Sequence, residues 1–396
     1  MAPASSKPIT LSLLGKLSLL FKLLVIAPPQ LLLNNLRCHT LALARGASLK
    51  YYTLCAFNKF ALRHLTPLQL QYMLPPTVAL YKSWIRRQSL PAIKRLSTTS
   101  NTTPSPSDLV LSDLKVDIEP LPSAPQPSSL LWLGDRTKAT KVVLFFHGGG
   151  YAVPMLPGHF HWCFQSYLLS SPGEVAVAIL QYTLVPHGQY PTQLKQAAAG
   201  LAHILSSGVK PENIIFGGDS AGGNLTCSLL SHLLHPHPEA IPISVAQPIG
   251  GAFLVSPWVS ARTESASFRR NGGIDMLSSR TINSACGHLL PRDLKDEQRG
   301  WVIPVDLPQE EQEGWFRGLD RVVKKVYITA GEQEVFLDQS IQLAEVFKKV
   351  NEKLEVRVEI VKSEAHDWIL LEGERKDDGD ATRRMRAWVK GVWGFK

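Results

Sequence analysis

The chain has 396 residues and a mass of 43.7 kDa, room for one large catalytic body and an appendage of about a hundred residues. Its composition, 44% apolar and 19% charged with 28 Gly and 28 Pro, excludes wholesale disorder, collagen and a polytopic membrane bundle. The five cysteines (Cys38, Cys55, Cys163, Cys227, Cys286) form no C-x-x-C pair, so a zinc ribbon and a disulfide scaffold are excluded as well.

The net charge of +9 is unevenly distributed. Residues 1–107 hold 13 Lys/Arg and no acid, Asp108 being the first; the rest of the chain has 29 basic against 33 acidic residues. The basic excess thus belongs to an apolar amino-terminal quarter. Aromatic residues interleaved with basic ones on a β-platform, as a single-strand binder needs, are not visible there, and no nucleic-acid partner is expected.

Ile9 to Leu33 reads as a membrane-seeking segment, but it carries Lys16 and Lys22 and is interrupted by Pro28-Pro29; its longest charge-free stretch, Leu23 to Leu36, is 14 residues. A clean span needs about 20. Three readings stay open: an interfacial or tilted anchor formed by residues 1–36, a signal-anchor or short span, and a helix of a cap on the catalytic body or a targeting segment. Residues 1–100 are expected to be a membrane-associating and cap region, and 101–130 a linker and first strands. The Ser/Thr/Asn/Pro-rich stretch near residues 97–108 carries that linker. It contains Asn101-Thr102-Thr103, an acceptor pattern for N-glycosylation; a second match at Asn224 falls on an expected buried helix and is taken as idle.

Beyond about Leu109, apolar runs at Val142–Phe146, Val175–Leu180, Ile214–Phe216, Gly251–Val255 and Val326–Ala330 alternate with helical spacing. One such helix opens near Pro191 and closes at Gly208. Strands apolar on both faces require helices on either side, so a mostly parallel, doubly wound α/β sheet is expected over 131–396. Leu354–Val361 alternates as an edge strand does.

Gly218-Asp219-Ser220-Ala221-Gly222 lies between one of these strands and a small-residue helix. That placement predicts a tight turn lifting the Ser220 hydroxyl above the sheet, with a helix N-terminus aimed at the same point. His147-Gly148-Gly149-Gly150 follows another strand, and the amides of Gly149, Gly150 and Ala221 are the expected donors to an oxyanion. His147 itself is expected to be a structural hydrogen-bonder. A serine hydroxyl needs a general base and a carboxylate to orient it. His366, in Glu364-Ala365-His366-Asp367-Trp368 just after a strand, is the expected base; the acid is sought in Gly331–Asp338. His232, His235 and His237 read as an exposed loop rather than a metal site, and no metal or organic cofactor is implied.

His-Gly-Gly-Gly at 147–150, Tyr182-Thr183-Leu184-Val185-Pro186, Gly218–Gly223, Ser256-Pro257-Trp258 and His366-Asp367-Trp368 stand in one order. Together they resemble the hormonesensitive-lipase-like branch of the α/β-hydrolases, with an amino terminus similar to that of fungal esterases related to steryl acetyl hydrolase. The resemblance covers roughly 130–390. It implies an α/β-hydrolase fold with a helical cap built from the amino-terminal region and an insertion at about 259–319, which includes Trp301 and Trp315. In this family the acid is usually the Asp of an Asp-Pro-Leu motif; that position falls on Glu334, with Phe336 in place of Leu, and Asp338 is the reserve.

The resulting expectation is a serine ester hydrolase with catalytic Ser220, Glu334 and His366, acting on an apolar small-molecule ester with a short acyl group, sterol-like or a secondary metabolite. The alternatives are a non-hydrolytic condensation or cyclisation on the same apparatus, and a ligand receptor. The expected location is a membrane surface such as that of the endoplasmic reticulum, with the cytoplasm as the alternative; oligomeric state is not legible.

Overall fold

A computed structural model describes residues 9–98, 105–124 and 126–395. The acceptor pattern at Asn101 lies outside the described residues. The strands are β1 (Asp117–Pro120), β2 (Ser129–Leu133), β3 (Lys141–Phe146), β4 (Val175–Gln181), β5 (Ile214–Asp219), β6 (Gly251–Val255), β7 (Lys325–Gly331) and β8 (Glu355–Val361). They form one sheet in the order β1-β2-β4-β3-β5-β6-β7-β8. Only the β1–β2 and β2–β4 pairings are antiparallel, and the other five are parallel.

Every residue of β5 and β6 is buried, as helix cover on both faces demands. β8 lies at the sheet's edge, where its alternating pattern is at home. Asn224 is buried on the helix Ala221–Leu234, with its side-chain amide bonded to the carbonyls of Trp258 (2.8 Å) and Val302 (2.6 Å).

Among the described residues one helix, Leu13–Ala44, is long and apolar enough to cross a membrane. Pro28-Pro29 do not interrupt it as the sequence suggested. A π-helical turn at Lys22–Ile26 precedes them, and the prolines occupy the first turn of the next α-helical stretch, where their missing N–H groups cost little. One face of this helix packs on the body through Leu19, Ala27, Cys38 and Ala42. Asn34 donates to the carbonyl of Ala56 (3.3 Å), and Lys22 to the side chain of Gln69 (2.9 Å). Gln69 also closes a capping box with Thr66 at the start of Pro67–Met73, and Gln71 of that short helix donates to the carbonyls of Ala152 (2.9 Å) and Val185 (2.7 Å). The amino-terminal helices are thereby bonded to loops that leave the carboxyl ends of the parallel strands.

Between β6 and β7 an inserted segment makes the helices Ala266–Asn271, Ser279–Leu289, Arg299–Val302 and Gln309–Trp315.

Candidate active site

Ser220 sits between β5 and its helix with φ 50° and ψ −110°, a strained backbone. Its amide donates to Val255 O (2.8 Å), and its carbonyl accepts from the amides of Asn224 (2.9 Å) and Trp258 (3.1 Å), so neighbouring structure over-determines the turn. A Cβ on either Gly218 or Gly222 would overlap the carbonyl oxygen of Phe146 at the end of β3, which explains both glycines. Gly222→Ala is therefore expected to destabilise the protein by about 1–3 kcal/mol and to abolish ester turnover, read by calorimetry and by initial rates. A variant as stable and as active as the parent would contradict this.

His366 is buried on the turn after β8, with Nε2 2.9 Å from Ser220 Oγ and its ring edge-on to Phe336. Glu334, in the loop after β7, is fully buried, and its Oε2 accepts from Ser256 Oγ (2.6 Å) and the amide of Gly331 (3.1 Å). The same oxygen lies 4.0 Å from His366 Nδ1, while Nδ1 and the other carboxyl oxygen are both buried without a partner. A small shift would pair them; such bonds are often long before substrate binds. The structure does not bring Asp338 to the histidine. Asp338 lies on the first turn of Leu337–Val350 and accepts from the amide of Ser267 (2.7 Å), because one helical turn past Glu334 the chain faces the insertion.

Gly148, Gly149 and Gly150 line the same space as Ser220. Gly149 has φ +98°, open to glycine alone, and a Cβ there would stand 2.7 Å from that of Val153. Asp219 ties this loop to the serine turn: one carboxylate oxygen accepts from the Gly148 amide (3.0 Å), and the other lies 3.2 Å from His159 Nε2. Ala221 is the first residue of the helix that follows Ser220. His147 stacks on Tyr182 with ring centroids 4.4 Å apart, and its Nδ1 lies 2.8 Å from Gly148 O. Burial pushes its pKa down to about 3, in keeping with a neutral structural ring.

Burial likewise pulls His366 down to about 3, against the attraction of Asp219. It pushes Glu334 well above the usual carboxylate range, while the bond from Ser256 pulls the other way. A third carboxyl, Asp367, stands 3.3 Å from His366 Nε2. Burial, then the charges of Asp219, Glu334 and Asp275, push its pKa up.

These groups open on a cavity of about 410 Å³. Its walls are apolar: Leu54, Phe57 and Leu70 from the amino-terminal helices, Ile282 and Ala285 from the insertion, Val153 from the body. Trp301 and Trp315 are not among the lining residues; they pack edge to face 5.0 Å apart, beside His235 and His237. The histidine trio is also not the expected exposed loop. His232 and His237 are buried, His232 Nε2 lies 2.9 Å from Ile241 O and His235 Nε2 2.7 Å from Trp315 O.

Sequence reasoning gave no role to Ser256, whose hydroxyl donates to Glu334 and accepts from the amide of Asp367 (3.2 Å), linking the acid loop to the histidine turn. Its place in Ser-Pro-Trp at the end of β6 was the only available signal.

A family model described as the alpha/beta hydrolase fold matches residues 143–370, more than half the chain, and the chain belongs to that family. It is 26% identical over 224 residues to an esterase of Acinetobacter venetianus, covering 56% of this chain and 66% of that protein. To steryl acetyl hydrolase 1 of Saccharomyces cerevisiae it is 27% identical over 196 residues, 48% of this chain and 43% of the relative. The matched stretches thus span less than two thirds of these relatives' lengths. In fold it is similar to a thermostable esterase from Pseudomonas putida, with a TM-score of 0.62 at 17% identity, covering 87% of this chain and 97% of that one.

Proposed function

We propose that this protein is a serine carboxylic-ester hydrolase that works through an acyl-enzyme. Ser220 Oγ attacks the ester carbonyl while His366 Nε2 takes its proton, and the alkoxide of the tetrahedral intermediate is held by the amides of Gly149, Gly150 and Ala221. His366 returns the proton to the departing alcohol. Water, deprotonated by the same nitrogen, then releases the acid and restores the hydroxyl. Glu334 orients the ring through Nδ1 and stabilises its charged form. The single observation that carries this reading is the 2.9 Å approach of His366 Nε2 to Ser220 Oγ at the edge of an apolar cavity.

The substrate we infer is a short acyl ester, acetate above all, of an apolar alcohol of sterol-like or secondary-metabolite type. The cavity's apolar walls and the likeness to steryl acetyl hydrolase 1 support it. The test is turnover of a series of acyl esters of one apolar alcohol, with products identified by mass spectrometry. Free acid and alcohol in equal amounts, fastest for acetate, are expected; condensed or cyclised products, or no turnover across the series, would overturn the proposal.

The same reading places the enzyme on a membrane surface through its amino-terminal helix. What supports this is an exposed apolar face bearing Leu13, Leu17, Leu20, Phe21 and Leu24, in a segment of basic charge without acids. The opposite face is packed on the body, which favours lying on a bilayer over crossing one. Replacing Leu17 and Leu24 together by Glu is expected to weaken cosedimentation with phosphatidylserine vesicles about tenfold or more, at unchanged circular dichroism. Undiminished pelleting would rule the surface out.

A further inference from the structure

The loop that carries Glu334 is gripped by the insertion on both sides of that residue. Asn271, fully buried at the end of Ala266–Asn271, donates from Nδ2 to the carbonyls of Glu332 (2.9 Å) and Glu334 (2.8 Å). Asp275 Oδ2 accepts from the next amide, that of Val335, at 2.6 Å, and Ser267 Oγ donates to the Val335 carbonyl at 2.7 Å. The peptide that follows Glu334 is thus satisfied at both its carbonyl and its amide by a segment some sixty residues away in sequence.

That segment is itself held from the amino-terminal helices. Lys59, 4% exposed on Tyr52–His64, donates its ammonium to the carbonyls of Gly272 (2.8 Å), Asp275 (2.7 Å) and Leu277 (3.3 Å). An ammonium has three hydrogens, and three carbonyls meet them; a buried cation less well served would be costly. Burial pushes Lys59 down and Asp275 up to about 6, and each charge opposes the other's shift. Arg45 spans the join directly. Its Nη1 donates to Asn271 Oδ1 (2.8 Å) and Gln333 Oε1 (2.7 Å), and its Nη2 to Arg270 O (2.7 Å).

We infer that Asn271 and Asp275 are positioning residues for Glu334, and that the amino-terminal helices hold them in place through Lys59 and Arg45. This rests on Glu334 being the acid of the site. The amino-terminal region then does more than wall the cavity: it fixes the loop on which the orientation of His366 depends. Displacing a reacting group by about 1 Å costs on the order of 100-fold in rate, so loosening this grip lowers kcat while leaving the cavity, and KM, largely as they were.

The test uses the full chain and hydrolysis of p-nitrophenyl acetate. Asn271→Ala and Arg45→Ala are made alone and in a Glu334→Gln background. Asn271→Ala is expected to lower kcat about 10- to 100-fold and Arg45→Ala several-fold, with KM within about twofold, and neither is expected to lower the rate further once Glu334 is replaced. A purely structural role would move melting temperature without this dependence on Glu334. Should Asn271→Ala fail to fold, the partly exposed Arg45 carries the same comparison. Wild-type kcat in the single variants, or an equal further loss in the Glu334→Gln background, would overturn the inference alone. A Glu334→Gln enzyme with wild-type kcat would overturn the acid assignment and this inference together.

Discussion

Ser220→Ala and His366→Ala are each expected to lower kcat for an ester substrate by about 10⁶-fold, and the double variant no further. The two side chains act as a unit. Without the hydroxyl no acyl-enzyme forms, and without the imidazole the hydroxyl keeps its proton at neutral pH. What survives is the contribution of the loop amides and of substrate binding, about 10³–10⁴-fold over water. Initial rates on p-nitrophenyl acetate, with folding checked by circular dichroism, measure it. Losses that multiply in the double variant would mean that the two residues work independently, contrary to their 2.9 Å contact.

The second large effect separates the two candidate acids. Glu334→Gln is expected to lower kcat by about 10⁴-fold, because an amide cannot stabilise the imidazolium and its NH₂ group favours the wrong tautomer of His366. Asp338→Asn is expected to stay within a few-fold of the parent, since an amide oxygen can still accept from Ser267, as Asp338 does now at 2.7 Å. Asp338→Asn matching the loss at Glu334, or Glu334→Gln retaining the rate, would reverse the assignment.

How much of this was legible depended on how local the determinant is. The serine turn and the glycine loop are each written in five or fewer adjacent residues, and their conformations follow from glycine's freedom and the lack of room beside Phe146. The sheet was legible for a similar reason: runs apolar on both faces have one common use, and the alternating β8 has its natural place at an edge. Glu334 and Asp338 could not be separated by sequence alone because they are one helical turn apart, and only the exit direction from β7 decides which faces His366. Pro28-Pro29 read as a break because a π-turn that accommodates them has no sequence signature. The histidine trio read as surface because a carbonyl partner, such as that of Ile241 or Trp315, leaves no mark in the residue pattern. Ser256, Asn271 and Asp275 stayed unassigned on the same ground, since a hydroxyl, an amide or a carboxylate acquires its role from what the fold sets opposite it.

The most direct measurement is the stoichiometry and position of a fluorophosphonate adduct, read by intact mass and peptide mapping alongside residual activity. One equivalent on Ser220, with activity falling in proportion to labelling and no adduct on the Ser220→Ala chain, is the predicted result. Ester turnover that persists in fully labelled protein, or labelling that ignores Ser220, would contradict the account.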